Sequence, residues 1–334
     1  MTAGEFLIYQ GTGVSDPTGD RIRRRGEPPP WRRFDGEPVT PLERDGAAGR
    51  RLPERARAVP YEADAATVRM VNVALHLRRP LLVTGDPGTG KSTLAYAVAH
   101  ELRLGTVLRW PITSRSTLTA GLYHYDAVGR IEEATTRQDV QPSDIGRYLR
   151  LGPLGTAFAP YELPRVLLID EIDKGDIDLP NELLDIFEEG EYRISELERI
   201  SDATPLVKVR PADDGRQVTI QDGRVRCREF PFIVMTNNGE REFPPAFLRR
   251  CVQLRLAQPE EARLRAIVEA HLGSDVLAGS DELIADFLSR RGRGQLATDQ
   301  LLNAVYLLLS AGVEDRPDRE DLIDVVLREL NGSP

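Results

Sequence analysis

The chain has 334 residues, 40% of them hydrophobic and 29% charged, with a formal net charge of −9. That length holds about two domains with real cores, the composition is that of a water-soluble globular protein, and the acidic balance argues against nucleic acid or an anionic membrane surface as a partner. Two cysteines in no motif, no basic-then-apolar leader between Met1 and Gln10, and no apolar run of membrane-spanning length predict a cytoplasmic protein without membrane insertion.

Residues 1–58 stand apart in composition. Eight of the 24 prolines fall between Pro17 and Pro60, with Gly and Arg also frequent. Such a stretch buries little apolar surface, which predicts an extended or partly disordered arm. Arg21, Arg23, Arg24, Arg25, Arg32 and Arg33 cluster beside Trp31 and Phe34. Two readings are open: a docking arm, for a neighbouring subunit or for RNA or DNA, and a solvated linker with a few anchoring aromatics.

A helix is predicted over about Ala63 to Leu77, with Val68, Val71 and Leu75 on its apolar face, and Pro80 marks its end. The next stretch organises the chain. An apolar run, Leu81 to Val83, enters Gly85-Asp86-Pro87-Gly88-Thr89-Gly90-Lys91-Ser92-Thr93, and an alanine-rich helix pattern to Leu102 leaves it. The spacing G-x-x-x-x-G-K-S is that of a phosphate-binding loop. Its glycines let successive N–H groups turn inward as an anion nest, and the following helix aims its positive end at the same place. Lys91 can then reach the β- and γ-phosphates of a nucleotide, and the Ser92 hydroxyl can ligate Mg²⁺. The plainer alternative is a glycine turn between strand and helix.

Val107 to Ile112 reads as a further strand, and residues 114–164 as a loop-rich segment with short helices and a hairpin. Arg165 to Asp173 holds four consecutive apolar residues, the mark of a strand buried on both faces of a parallel sheet, and runs into Asp170 and Glu171. Carboxylates at the carboxyl end of such a strand lie where α/β sheets bind ligands. Asp170 is placed to hold Mg²⁺ and Glu171 to orient and deprotonate a water; a solvated strand end is the alternative. Leu179 to Glu189 is helical, and alternation with Asp-Gly turns predicts a β-insertion at about 192–230. Phe232 to Met235 is the next buried strand and ends in Thr236-Asn237-Asn238. An amide there can fix a water, or simply serve an Asn-Gly turn. A short helix around Pro244 to Arg250 and a strand from Cys251 to Leu256 follow. Periodicity over 260–272, 281–290, 298–311 and 319–330 predicts a separate small helical domain.

In this order, the phosphate loop, Val-Leu-Leu-Ile-Asp-Glu, the Thr-Asn strand end, Leu248-Arg249-Arg250 and a C-terminal helical part resemble an AAA+ ATPase. Gly152-Pro153-Leu154, Phe187-Glu188-Glu189-Gly190 and the β-insertion resemble the MoxR branch of that family. The resemblance spans about residues 60–330. It implies a doubly wound α/β core of the P-loop NTPase type over residues 59–257 and a helical lid over 258–334, with ATP and Mg²⁺ bound between the subunits of a homo-oligomeric ring, usually of six. It makes Lys91, Ser92, Asp170 and Glu171 the Walker residues and Asn237 sensor 1. Arg250, or else Arg249, becomes an arginine finger reaching the neighbour's site. MoxR-like lids usually carry a sensor 2 arginine early in a helix. Leu296 to Leu302 has none, so Arg290, Arg291 or Arg293 would have to substitute.

Three functions follow as expectations. The first is an ATP-driven, chaperone-like remodeller of a partner protein, with a von Willebrand A-domain type partner or a multi-gene or defence system as its setting. The second is an ATP-dependent assembly switch or scaffold with slow turnover. The third is a nucleic-acid motor, against which the net charge of −9 argues. An Asn-Lys-x-Asp motif for reading guanine is missing from the sequence.

Overall fold

The computed structural model describes residues 6–44, 61, 63–136, 142–291, 296–310, 323 and 325–327. Helix α1 (Ala65–Leu77) starts where the Asp64 side chain accepts a hydrogen bond from Thr67 N at 2.6 Å, and ends where Arg78 turns left-handed. Strand β1 (Leu81–Thr84) then leads through the glycine loop into α2 (Lys91–Glu101), followed by β2 (Leu108–Pro111). The predicted loop-rich segment contains α3 (Leu118–Leu122), β3 (Tyr123–Tyr125), α4 (Ala127–Thr136), β4 (Leu149–Leu151) and α5 (Pro153–Ala157). Its two strands pair antiparallel, with Tyr123 opposite Leu151. Strand β5 (Val166–Asp170) and helix α6 (Leu179–Glu189) come next.

The β-insertion forms as expected from its alternation. It comprises β6 (Glu191–Arg193), a short α7 (Ser195–Glu198), β7 (Leu206–Val209), β8 (Val218–Gln221) and β9 (Arg224–Arg226). They make a four-stranded antiparallel sheet in the order β6–β9–β8–β7. Asp222 and Gly223, at φ 52° and 68°, supply the tight turn between β8 and β9. The chain returns to the core with β10 (Phe232–Asn237), α8 (Pro245–Leu248) and β11 (Val252–Arg255).

Five strands form one parallel sheet in the order β11–β1–β10–β5–β2. The central strands are apolar up to their carboxyl ends because helices cover both faces: every residue of β5 and β10 is buried, including the polar Asp170, Thr236 and Asn237. Register brings the carboxyl ends together, pairing Thr84 with Asn237, Met235 with Ile169, and Pro111 with Asp170. This is the α/β architecture of a P-loop NTPase. The C-terminal part is helical, with α9 (Glu261–Leu272), α10 (Ser274–Ala278), α11 (Asp281–Arg291) and α12 (Thr298–Val305). Leu264, Val268, Ile284, Phe287, Leu301 and Val305 give it a hydrophobic cluster distinct from that of the sheet. Helix α10 is absent from the sequence reading, and most of the helix expected over 319–330 lies outside the described residues.

The N-terminal segment corrects an expectation. Residues 6–44 carry little regular structure, yet they pack on the core rather than running free, and Ile8, Tyr9 and Ile22 are buried. Two buried polar side chains stitch the segment down. Asn72 Oδ1 on α1 accepts from Ile8 N and Tyr9 N at 2.7 and 3.0 Å, and its Nδ2 donates to Tyr9 O at 2.7 Å. Glu101 on α2 accepts from Gln10 N at 2.6 Å, Thr12 N at 3.1 Å and Arg21 at 3.1 Å. Three of the six clustered arginines, Arg21, Arg25 and Arg32, are spent inside the molecule, while Arg23, Arg24 and Arg33 stay at the surface. Arg32 is buried and donates to Phe187 O in the last turn of α6 and to Arg78 O beyond α1, so one cation caps the negative ends of two helices. Its guanidinium also lies 4.4 Å from the Phe230 ring centroid. Arg25 pairs with Glu229, Arg23 with Asp20 and Arg33 with Glu27. The composition misled because a few apolar residues, Ile8, Tyr9, Ile22 and Leu42, suffice to anchor the segment although Val14 and Trp31 stay exposed, and because Arg21, Arg25 and Arg32 satisfy carbonyls and carboxylates of the core.

Candidate nucleotide site

The loop between β1 and α2 needs its glycines. Gly88 and Gly90 stand at φ 75° and 85°, a region that side chains with a Cβ rarely adopt. A Cβ on Gly88 would also lie 2.5 Å from Thr298 N at the start of α12. The loop is thus in close contact with the helical part, and Gln258 Nε2 adds a 2.7 Å hydrogen bond to Asp86 Oδ2. The Lys91 ammonium is held over the loop by Gly85 O and Asp86 O at 2.6 and 2.8 Å. Burial pushes its pKa down, against the opposing pull of Asp173, Asp86, Glu171 and Asp170.

Strand register delivers the acids to the same place. Asp170 Oδ1 accepts hydrogen bonds from Ser92 Oγ at 2.7 Å and Thr236 Oγ1 at 2.9 Å. Its Oδ2 accepts from Arg109 Nε at 3.2 Å and from the guanidinium's terminal nitrogen at 2.8 Å. Burial alone would raise the Asp170 pKa. The hydrogen bonds from Ser92, Arg109 and Thr236 outweigh it and hold the carboxyl below the usual carboxylate range. Thr236 also accepts from Glu171 N at 2.8 Å, so one hydroxyl fixes both acids.

Glu171 has a left-handed backbone at φ 60°, a conformation that costs a non-glycine residue about 1–2 kcal/mol and that Arg78, Arg103 and Asp222 share among the described residues. Its carboxylate is half exposed, pairs with Lys174 Nζ at 2.9 Å and accepts from Asn238 Nδ2 at 3.4 Å. Asn237 is buried, and its Oδ1 closes a local turn by accepting from Gly239 N at 2.7 Å. The amide that touches the second acid is therefore that of Asn238, one residue beyond the sequence choice. Asp173 ties the two strand ends together by accepting from Asn238 N at 3.0 Å and Glu240 N at 3.2 Å.

The structure thus gathers Gly85 to Thr93, Asp170, Glu171 and Asn237 at the carboxyl ends of the central strands β1, β5 and β10. Arg249 and Arg250 lie beyond α8, where Arg250 Nε pairs with Glu188 Oε1 at 2.7 Å and Arg249 O accepts from Arg79 at 3.0 Å. Arg290 pairs with Asp286 at 2.9 Å, Arg291 donates to Pro259 O at 2.7 Å, and Arg293 lies outside the described residues. Sequence reasoning missed Arg109, Asp173 and the role of Thr236. The available signals were a single charge in the alternating strand Leu108-Arg109-Trp110-Pro111 and a hydroxyl just before the strand-end amide.

Among the described residues no helix is long and apolar enough to cross a membrane. Comparison with curated proteins returns no match. The family described as AAA domain (dynein-related subfamily) matches residues 80–251, from the residue before β1 through the loop, both acids and the Thr-Asn strand end to Cys251. The chain belongs to this AAA family, whose domain is that of a nucleotide-hydrolysing ATPase.

Proposed function

We propose that the chain is a MoxR-like ATP hydrolase that works at the subunit interfaces of a ring and uses turnover to remodel or activate a partner protein. The observation that carries the reading is the joining of Ser92, Asp170 and Thr236 by hydrogen bonds of 2.7 and 2.9 Å directly beside Lys91 and Glu171. A hydroxyl and a carboxylate this close are the hard oxygen donors Mg²⁺ takes when nucleotide phosphates supply the rest of its shell. Ser92 and Asp170 would hold the metal. When bound, it neutralises charge on the phosphates and orients them. Lys91 binds the β- and γ-phosphates, the loop N–H groups cradle them, and Glu171 takes the proton of the attacking water. Asn237 and Asn238 position that water. Arg250, with Arg249 as the alternative, is half exposed at the end of α8 and serves the neighbouring subunit's site. The β-insertion supports the MoxR-like assignment. A von Willebrand A-domain type protein is the class of partner this branch suggests.

One observation supports a second reading, an ATP-dependent assembly switch with slow turnover. Lys174 occupies Glu171 Oε2, one of the two oxygens that could take the proton of an attacking water. Glu171→Gln separates the two. A remodeller loses turnover, read by phosphate release, and with it partner activation, while keeping ATP-dependent assembly, read by sedimentation. A variant that still activates its partner establishes the switch.

A further inference from the structure

Arg109 is the one strong contact of Asp170 that the proposed mechanism leaves without a task. Strand β2 is the edge of the sheet, and its register sets Arg109 opposite Leu168, two residues before Asp170. Alternation puts Arg109 and Asp170 on the same face, so the guanidinium runs along that face to the carboxylate. The two differ in exposure: the Arg109 side chain is 50% accessible and that of Asp170 only 10%. Oδ1 is occupied by the two hydroxyls and Oδ2 by the two guanidinium N–H groups.

We propose that Arg109 and Mg²⁺ compete for Asp170, so that each weakens the binding of the other and metal–nucleotide binding turns Arg109 away from the carboxylate. This rests on the ATPase reading above. The physical basis is an asymmetry. A buried carboxylate is costly without a cation, whereas a half-exposed guanidinium on an edge strand regains water as soon as it lets go. Two cations on one carboxylate share a single attraction and repel each other, so exchange is favoured over joint occupancy. Arg109 then acts as a positioning residue. It holds Asp170 ionised and aligned with Ser92 and Thr236, and it sets the metal concentration at which the site loads.

The test uses the full chain and a fluorescent ATP analogue, with the Mg²⁺ midpoint for nucleotide binding as the readout. Arg109→Ala and Arg109→Gln remove the competitor, and Arg109→Lys keeps the charge. The neutral variants should bind nucleotide at roughly five-fold lower Mg²⁺ than wild type, and Arg109→Lys should stay near wild type. Circular dichroism confirms folding, and Arg109→Gln, which keeps most of the side chain, stands in if Arg109→Ala does not fold. An unchanged or higher Mg²⁺ midpoint in the neutral variants of a protein that binds the analogue overturns the competition and leaves the ATPase reading standing. A wild-type chain that binds no analogue at any Mg²⁺ concentration overturns both.

Discussion

Asp170 collects more of the site's hydrogen bonds than any other side chain described there, and its environment gives a signed pH dependence. Ser92, Arg109 and Thr236 stabilise the ionised form, so the folded-state pKa lies below that of the unfolded chain. The stabilisation is fully present above the ordinary carboxylate pKa of about 4 and is lost as pH falls through the lower folded value. Asp170→Asn should therefore flatten the acid limb of a stability–pH profile measured by denaturant midpoints. The same substitution should cut Mg²⁺-dependent ATP turnover at least about 100-fold while costing only about 1–2 kcal/mol in stability. A stable variant with unchanged turnover contradicts the assignment of Asp170 to the metal. At this scale the sequence was informative wherever chemistry fixes spacing: Lys91, Ser92, Asp170 and Glu171 were all readable because loop and strand end impose their positions. Arg109 was not, because its partner lies 61 residues away and only strand register brings them together.

The N-terminal segment is where composition and structure part. It behaves as a strap held by polar side chains on α1 and α2 rather than as a solvated arm. Asn72→Ala tests this. It would leave Ile8 N, Tyr9 N and Tyr9 O without the amide that pairs them inside the protein. Each such buried group costs about 1–3 kcal/mol, so the variant should lose about 3 kcal/mol in chemical denaturation and release residues 6–16 to limited proteolysis. Equal stability and equal protection would mean that the strap contributes nothing. Regular elements were legible because their patterns are local: the buried runs of β5 and β10, the Asp-Gly turn between β8 and β9, and the apolar face of α1. The strap was not, since its order comes from single long-range pairings of Arg32, Asn72 and Glu101 that leave no periodic trace.

For the whole molecule, the parallel sheet and the helical part meet at the glycine loop, through Gly88 against Thr298 and Gln258 against Asp86. Movement of the helical part on its own core would be felt directly by the loop. No arginine in Leu296 to Leu302 serves this coupling; the contact is made by Ala297, the Thr298 backbone and the Gln258 side chain instead. Arg250 lies at the outer end of α8, half exposed and paired with Glu188. The order of motifs made the family readable from the sequence. Assembly was not, because an interface uses surface residues whose partners belong to another chain. The central claim is a composite site, and ATP turnover per protomer as a function of protein concentration tests it most directly. The account predicts a rate that rises with concentration and levels off as rings form, and a loss on the order of 10³-fold in Arg250→Ala with nucleotide binding retained. A rate independent of concentration, in a protein that sedimentation shows to be monomeric throughout, would contradict it.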